Sequence, residues 1–410
     1  MRTYLHSLHV MQRYGKNHTL RYRVFLMIFF WSIFDGILTY MLPILIVDRG
    51  FSQGEMGMIL GSSSLVGAVF DIIASKYIRA PHFLRLYLSV LILSVSFLGI
   101  LYVASTMWVF LLALGLWGIY WDLYHFANFD FISRTIPTGE HTSAFGILGV
   151  FQALGVLLAP IITGFLIAET ISSDPFIFSG AMLVISSIIF VSVYIGSHRE
   201  KARMVNHNTM PRTWKIEFKI WRVLTKQLAA VLTLTVLIYL TDALFWTIGP
   251  LIAENGTFGT YGGLLITAYT LPVLAVGWFV GSISHILGKK RTAVVSFLIG
   301  SLILSFFMLA QTPFQMIAIV GAASLFIGIS FPALNGAYVD YIAETQEYEQ
   351  EIQGIIDMFY NVGWMVGPVL VGVLAQVFGN AESFSILGAI SALICIFLLF
   401  VMPKKIRLTI

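Results

Sequence analysis

Apolar runs of about 20 residues, long enough to cross a bilayer, follow one another along this chain with short polar interruptions. They predict twelve helices, at roughly 22–47, 54–76, 83–104, 107–134, 142–168, 175–197, 228–252, 259–284, 292–311, 314–341, 353–378 and 383–402. The longest polar interruption is SHREKARMVNHNTMPRTWKIEFKIWRVLTKQ, residues 197–227. It divides the pattern into two sets of six. The expected fold class is therefore an all-α membrane protein of twelve transmembrane helices in two pseudo-symmetric six-helix halves. The expected segments are an N-terminal arm (1–21), a first bundle (22–197), a basic linker (198–227), a second bundle (228–403) and a short tail (404–410).

Composition agrees with that pattern. Hydrophobic residues make up 58% of the 410 and charged residues 11%, with mean hydropathy +0.88. Soluble domains carry about 25% charged residues, so a soluble globule with a single anchor is excluded. The one cysteine, Cys395, excludes an intrachain disulfide and a thiolate metal cluster. The basic N-terminus lacks the apolar core and small-residue cleavage site of a signal peptide. Of 24 Lys and Arg residues, 23 fall in alternate polar segments and only Arg49 falls in the others. By the positive-inside rule both termini are then cytoplasmic, in a plasma (inner) membrane. The basic excess is thus accounted for by topology, and no nucleic-acid partner is implied.

The two halves repeat at spaced positions. Asp35 and Pro43 recur as Asp242 and Pro250. GAVFDIIASK (67–76) aligns with GSISHILGKK (281–290), and Asp130 aligns with Asp340. Gly146, Gly155, Pro160 and Gly164 recur as Gly354, Gly363, Pro368 and Gly372. Matches in the same order at similar offsets mark an internal duplication. Two such halves enclosing a substrate site is the architecture of a secondary transporter.

Twelve spans, cytoplasmic termini, a basic loop after helix 6 and a repeated 2–3/8–9 loop motif together resemble the major facilitator superfamily over the whole chain. That family's loop motif reads G-x-x-x-D-x-x-G-[RK]-[RK]. Gly281, Gly288, Lys289 and Lys290 match it, with His285 where Asp is usual. Gly67, Asp71 and Lys76 match the first copy, with Ala74 for the second glycine. The resemblance implies a gating role for these residues. GVLLAPIITG (155–164) is a near match to a helix-5 motif linked with antiporters. A helix-4 motif common in proton-coupled members is missing its arginine, since Gly115 stands three residues before Gly118.

A carboxylate at the bilayer centre costs at least about 2.5–3.5 kcal/mol on insertion scales. It persists where it meets a wet cavity, a partner or a proton. Asp35 and Asp242 sit near the middle of uncharged runs, and the resemblance places helices 1 and 7 on a central cavity. Trp31 and Thr39 share a helix face with Asp35, and Trp246 lies beside Asp242. These five residues are the expected substrate or proton site. An interhelical hydrogen bond that only holds the bundle is the structural alternative. Asp122 and His125, at i and i+3, suit a proton relay or a mutually satisfied pair. Trp117, Tyr120, Trp121 and Tyr124 form an aromatic wall of packing character. Asp130 and Asp340 are expected to tie helix ends, Asp130 to Arg134. Asp357 and Asn361 fit either role. Gly155, Pro160, Gly164, Gly363, Pro368 and Gly372 read as helix packing or as pivots.

No Lys or Arg lies deep in any span, which disfavours an anionic solute. No phosphate-cradling loop, metal-ligand spacing or catalytic triad is found, so no cofactor, metal or enzymatic activity is expected. The expected function is proton-coupled secondary transport of a small neutral or cationic organic solute by alternating access. The helix-5 motif favours efflux by antiport, and the expected coupling ion is a proton, with sodium the alternative. An uptake symporter for a sugar, nucleoside or similar nutrient is the alternative function. A transport-inactive receptor or assembly protein is the alternative of another class. The expected partners are the lipid bilayer, the solute and the coupling ion, and the expected state is a monomer.

Overall fold

The computed structural model describes residues 19–77, 82–136, 141–167, 172–197, 214–254, 258, 261–276, 280–344 and 349–402. Among these the regular elements are all helical. In chain order they are α1 (Thr19–Asp48), α2 (Gln53–Tyr77), α3 (Phe83–Val103), α4 (Met107–Thr135), α5 (His141–Leu166), α6 (Asp174–Ser197), α7 (Trp214–Thr247) and α8 (Gly249–Ala253). There follow α9 (Gly263–Val276), α10 (Val280–Leu287), α11 (Lys289–Leu304), a 3-10 turn (Phe307–Leu309), α12 (Pro313–Glu344), α13 (Glu349–Phe378) and α14 (Asn380–Val401). Ten helical stretches are long and apolar enough to cross a membrane by length and composition, and Gly263–Val276 is a shorter apolar helix.

Each expected span is matched, with local differences. The seventh arrives as α7 and α8, broken at Ile248 because Pro250 at the start of α8 has no N–H to give and crowds the preceding turn. Its repeat mate Pro43 stays inside the unbroken α1. Helix α7 begins at Trp214, within the segment expected to be the linker. The eighth span is carried by α9 and α10, and the ninth ends at Leu304 before the 3-10 turn. The arm up to residue 18, residues 198–213 and the tail from 403 lie outside the described residues.

The chain forms two compact units. The first holds the described residues of 1–38, 69–159 and 172–207, and the second those of 39–68, 160–171 and 208–410. Helices α1 and α7–α8 are the most enclosed candidate spans, with 78% and 67% of their apolar windows buried, against 22% for α5. The two central carboxylates therefore sit on the two innermost helices. Outer faces are apolar instead. On α6, Ile177, Val184, Ile188, Val191 and Ile195 form one exposed stripe at helical spacing. In a bilayer such a stripe meets lipid, and the backbone is satisfied within the helix.

Candidate functional site

In the first unit, Asp35 is 3% exposed. Its Oδ1 accepts the Tyr120 hydroxyl at 2.6 Å and the Trp117 indole N–H at 3.0 Å. Both donors come from α4, where Trp117, Tyr120, Trp121 and Tyr124 recur at three- and four-residue spacing and so share a face. Trp31, one turn before Asp35, donates its indole N–H to Ser94 Oγ at 3.0 Å. Its ring stacks on Tyr124 with centroids 4.4 Å apart and meets Tyr120 and Trp121 edge-on. The wall read as packing is thus also the donor shell of the carboxylate. Bonds to an ionised acceptor are about twice as strong as neutral ones, so this shell holds Asp35 in place.

Asp122 is half-buried, while His125 is exposed. The contacts of the His125 ring are with Trp121 and Tyr124, both at 5.6 Å. At the end of the same helix, Asp130 accepts Arg134 Nε at 2.6 Å and the Phe83 backbone N–H at 2.7 Å. It is a helix tie, as expected.

In the second unit, Asp242 is half-buried. Its Oδ1 accepts the Tyr269 hydroxyl at 2.6 Å, and Trp246 follows one turn on along α7. Tyr269 lies on α9 and stacks face to face on Phe245 at 3.9 Å. One turn before Asp242, the ring of Tyr239 packs on Tyr360 at 4.0 Å and on Phe331 at 5.4 Å. Asp357 is exposed on α13. Thr39 is half-buried on α1. Tyr269 has no periodic signal in GLLITAYTLPVLAV. The available clue was that a phenol in an apolar run needs a partner.

The loop motifs are partly described. Gly288 links α10 to α11 with φ +82°, a conformation that glycine adopts without strain. Lys289 Nζ bonds Asp340 at 2.6 Å and the Gly336 carbonyl at 3.1 Å, so Asp340, the mate of Asp130, is also an ion-paired tie. The Lys290 ammonium lies 5.8 Å from the Tyr341 ring. Gly67 is buried and Asp71 half-buried. The side chains of Lys76 and His285, and the surroundings of Gly281, lie outside the described residues.

The repeated glycines and prolines make close helix contacts. A Cβ on Gly155 would come 2.7 Å from the Phe29 carbonyl and from Ser32 Cβ, so α5 packs directly on α1. A Cβ on Gly363 would come 2.7 Å from Tyr239 Cβ, so α13 packs on α7 in the same way. Within the second unit, Gly263 on α9 abuts the Pro160 carbonyl and Gly57 on α2 abuts the Pro368 carbonyl. Gly372 abuts the Gln53 carbonyl, and Gly164 is buried in α5. Small residues permit such approach inside membranes.

Comparison with known proteins agrees with this architecture. The family model described as Major Facilitator Superfamily matches residues 7–155 and 231–409. No curated protein matches the chain. Among solved structures, the nucleoside transporter NupG has a TM-score of 0.70 at 12% identity, covering 94% of this chain and 100% of that one. A bacterial homologue of the human drug peptide transporters PepT1 and PepT2 has 0.71 at 15%, covering 95% and 99%. A bacterial homologue of the human lysosomal transporter Spinster, solved inward-facing and unoccupied, has 0.69 at 13%, covering 93% and 94%. At these identities the likeness is one of fold. The family model, spanning most of both repeated halves, carries the assignment: this integral membrane protein belongs to the Major Facilitator Superfamily.

Proposed function

We propose that the protein is a proton-coupled secondary transporter that moves a small neutral or cationic organic solute by alternating access, in the direction of efflux by antiport. One observation supports it above the others. Asp242 is a half-buried carboxylate deep in a span, held by Tyr269, with Trp246 one turn on and the Tyr239–Tyr360 aromatic pair beside it. No Lys or Arg occurs between residues 227 and 253, or between 24 and 48 around Asp35. A wall of carboxylate, phenol and indole suits an amine or a polyhydroxyl solute and repels an anion. Asp242 and Asp35 are the proposed proton- or solute-binding carboxylates, with Trp31, Thr39 and Trp246 beside them. The exposed His125, with Asp122 one turn before it, is the proposed proton relay. The moving parts are the two sequence halves, 22–197 and 228–403, which work as a monomer with the termini on the cytoplasmic side.

Uptake by symport of a nucleoside or similar nutrient is a second reading. It draws on the fold likeness to the nucleoside transporter NupG. Proton movement in everted membrane vesicles, followed with a pH-sensitive dye, separates the two. Lipophilic cations should trigger a proton flux that Asp242→Asn abolishes. A flux of opposite sign on adding nucleosides or sugars would replace antiport with symport. Silence with every solute class would remove the proposal.

A further inference from the structure

Within the second unit, the parts of α1, α2 and α5 contributed by the first half of the sequence meet α8, α9 and α13 of the second half. The connections 48–53 and 378–380 lie at this end, as do the end of α8 and the start of α9. The seam is built on two repeat-related contacts, Gly57 against Pro368 and Gly263 against Pro160. Backbone meets backbone at both, so the seam is tight and has no slack for a side chain. Gln53 Nε2 bonds Asn380 Oδ1 at 2.8 Å across it, and the Gly54 N–H bonds Gln376 Oε1 at 3.1 Å.

One further bond crosses the seam and has no counterpart in the repeat. Tyr40 of α1, fully buried, donates its hydroxyl to Glu254 Oε1 at 2.9 Å, just beyond the end of α8. The positions related to Tyr40 and Glu254 by the offset of 207 residues are Thr247 and Val47, which cannot repeat it. Among the described side chains bonded across the seam, Glu254 is the one carboxyl. The elements packed around it bring few other titratable groups. Besides Tyr40, α1 ends in Asp48 and Arg49, α9 carries Tyr269, which is engaged with Asp242, and α14 begins near Glu382. Tyr40 is the group that bonds it.

We propose that Glu254 is a proton-binding site that latches this seam, closed when the carboxyl carries a proton and driven open when it loses it. The proposal rests on the alternating-access reading above. Its sign follows from linkage. Burial pushes the Glu254 carboxyl up to about 7 in the closed seam, and the Tyr40 hydroxyl offsets only part of that. Once the seam opens and water reaches the group, it returns toward its ordinary value of 4.5. The closed state therefore binds the proton more tightly. Its advantage is full at low pH and is lost as pH rises through about 7. Since Glu254 is only partly buried, the closed-to-open ratio should fall by about 10- to 100-fold across that window. In a transporter, a proton taken up at this end would then be what permits the seam to shut.

The test is a distance measurement on the full chain in lipid nanodiscs. Spin labels on Asp48→Cys and Tyr261→Cys, in a Cys395→Ala background, report seam opening by pulsed electron resonance between pH 4.5 and 8.5. Two distance populations are expected, with the shorter dominant at low pH and giving way near neutrality. Glu254→Gln, a mimic of the protonated acid, should hold the shorter distance at every pH. Tyr40→Phe removes the bond that favours the carboxylate and should move the transition to higher pH. Two populations that ignore pH would overturn the latch while leaving alternating access standing. So would a wild-type pH response in Glu254→Gln. A single population under all conditions and in all variants would overturn both.

Discussion

Asp35 and Asp242 occupy equivalent places in the two halves, and their surroundings differ in an instructive way. Each carboxylate accepts the hydroxyl of a phenol, and Asp35 takes an indole N–H besides. For Asp35 both donors come from α4, and the group is 3% exposed on an unbroken helix that keeps Pro43 inside it. For Asp242 the phenol comes from α9, and the group is half-buried. The helix then breaks at Ile248 because Pro250 sits at a helix start. A duplicated residue has kept a phenol donor while its second donor, its solvent access and its backbone have diverged. Donors alone make a carboxylate stable; access makes it available to a proton or a solute. Of the two proposed carboxylates, the comparison favours Asp242 for the larger share of the working step, with Asp35 also holding the first unit together.

The largest expected effect separates those roles. Asp242→Asn should cut solute-driven proton flux by at least about 100-fold, the scale of losing a positioned proton-transfer group. Asp35→Asn, at matched protein levels, should keep a substantial fraction of the flux. Flux in everted vesicles checks both. A greater loss in Asp35→Asn would reverse the comparison.

Stability should run the other way. Asp35→Ala leaves the buried Tyr120 hydroxyl and the half-buried Trp117 N–H without their acceptor, at about 1–3 kcal/mol for the hydroxyl and less for the indole. Asp242→Ala strands the Tyr269 hydroxyl alone, beside a position that water partly reaches, and should cost about half as much. Denaturant titration of the purified protein in mixed micelles measures the difference. Equal losses would mean that burial does not distinguish the two sites.

Much of this was legible before any coordinates. Twelve apolar runs fixed the helices because a bilayer leaves few other ways to satisfy a backbone. The duplication was visible because prolines, glycines and carboxylates are rare in such runs. Asp130 and Asp340 were readable as helix ties from their place near helix ends, Asp130 also from Arg134 one turn on. The donors of the carboxylates were harder. Trp117 and Tyr120 read as packing, and Tyr269 read as nothing, since aromatic residues are common throughout and only the fold says which one meets which acid. The Tyr40–Glu254 bond was the least legible. Its partners are 214 residues apart and outside the repeat. The break at Ile248 was half-legible, because Pro43 and Pro250 look alike in sequence and only one interrupts its helix.

The repeat-related glycines extend the comparison to packing. Gly155→Ala would push a methyl group against the Phe29 carbonyl and Ser32 Cβ, each at 2.7 Å, with the Ile33 nitrogen at 3.1 Å. Gly363→Ala would meet Tyr239 Cβ at 2.7 Å, with the Val236 carbonyl farther off at 3.3 Å. Both should cost about 1–3 kcal/mol. Gly155→Ala should stand at the upper end, because a backbone carbonyl is displaced rather than a side chain alone. Gly363→Ala should disturb transport more than its stability cost suggests, since Tyr239 stands one turn from Asp242.

The smallest expected effects come from the two phenols. Tyr120→Phe and Tyr269→Phe each remove one hydroxyl from a carboxylate and leave the ring in place. A hydrogen bond to a charged group contributes about 1.5–3 kcal/mol where it is well buried. Tyr120→Phe should approach that range, since Trp117 is then left as the other α4 donor to a sealed acid. Tyr269→Phe should fall below it, because water can replace the lost donor at a half-buried acid. A double-mutant cycle with each partner Asp→Asn isolates the coupling from the rest of the substitution. Coupling of Tyr120 to Asp35 should exceed that of Tyr269 to Asp242 by about 1 kcal/mol, half the span between a buried charged bond and an exposed one. If the order is reversed, Asp242 is the more tightly held of the pair. Its place as the mobile carboxylate would then pass to Asp35, despite the deeper burial.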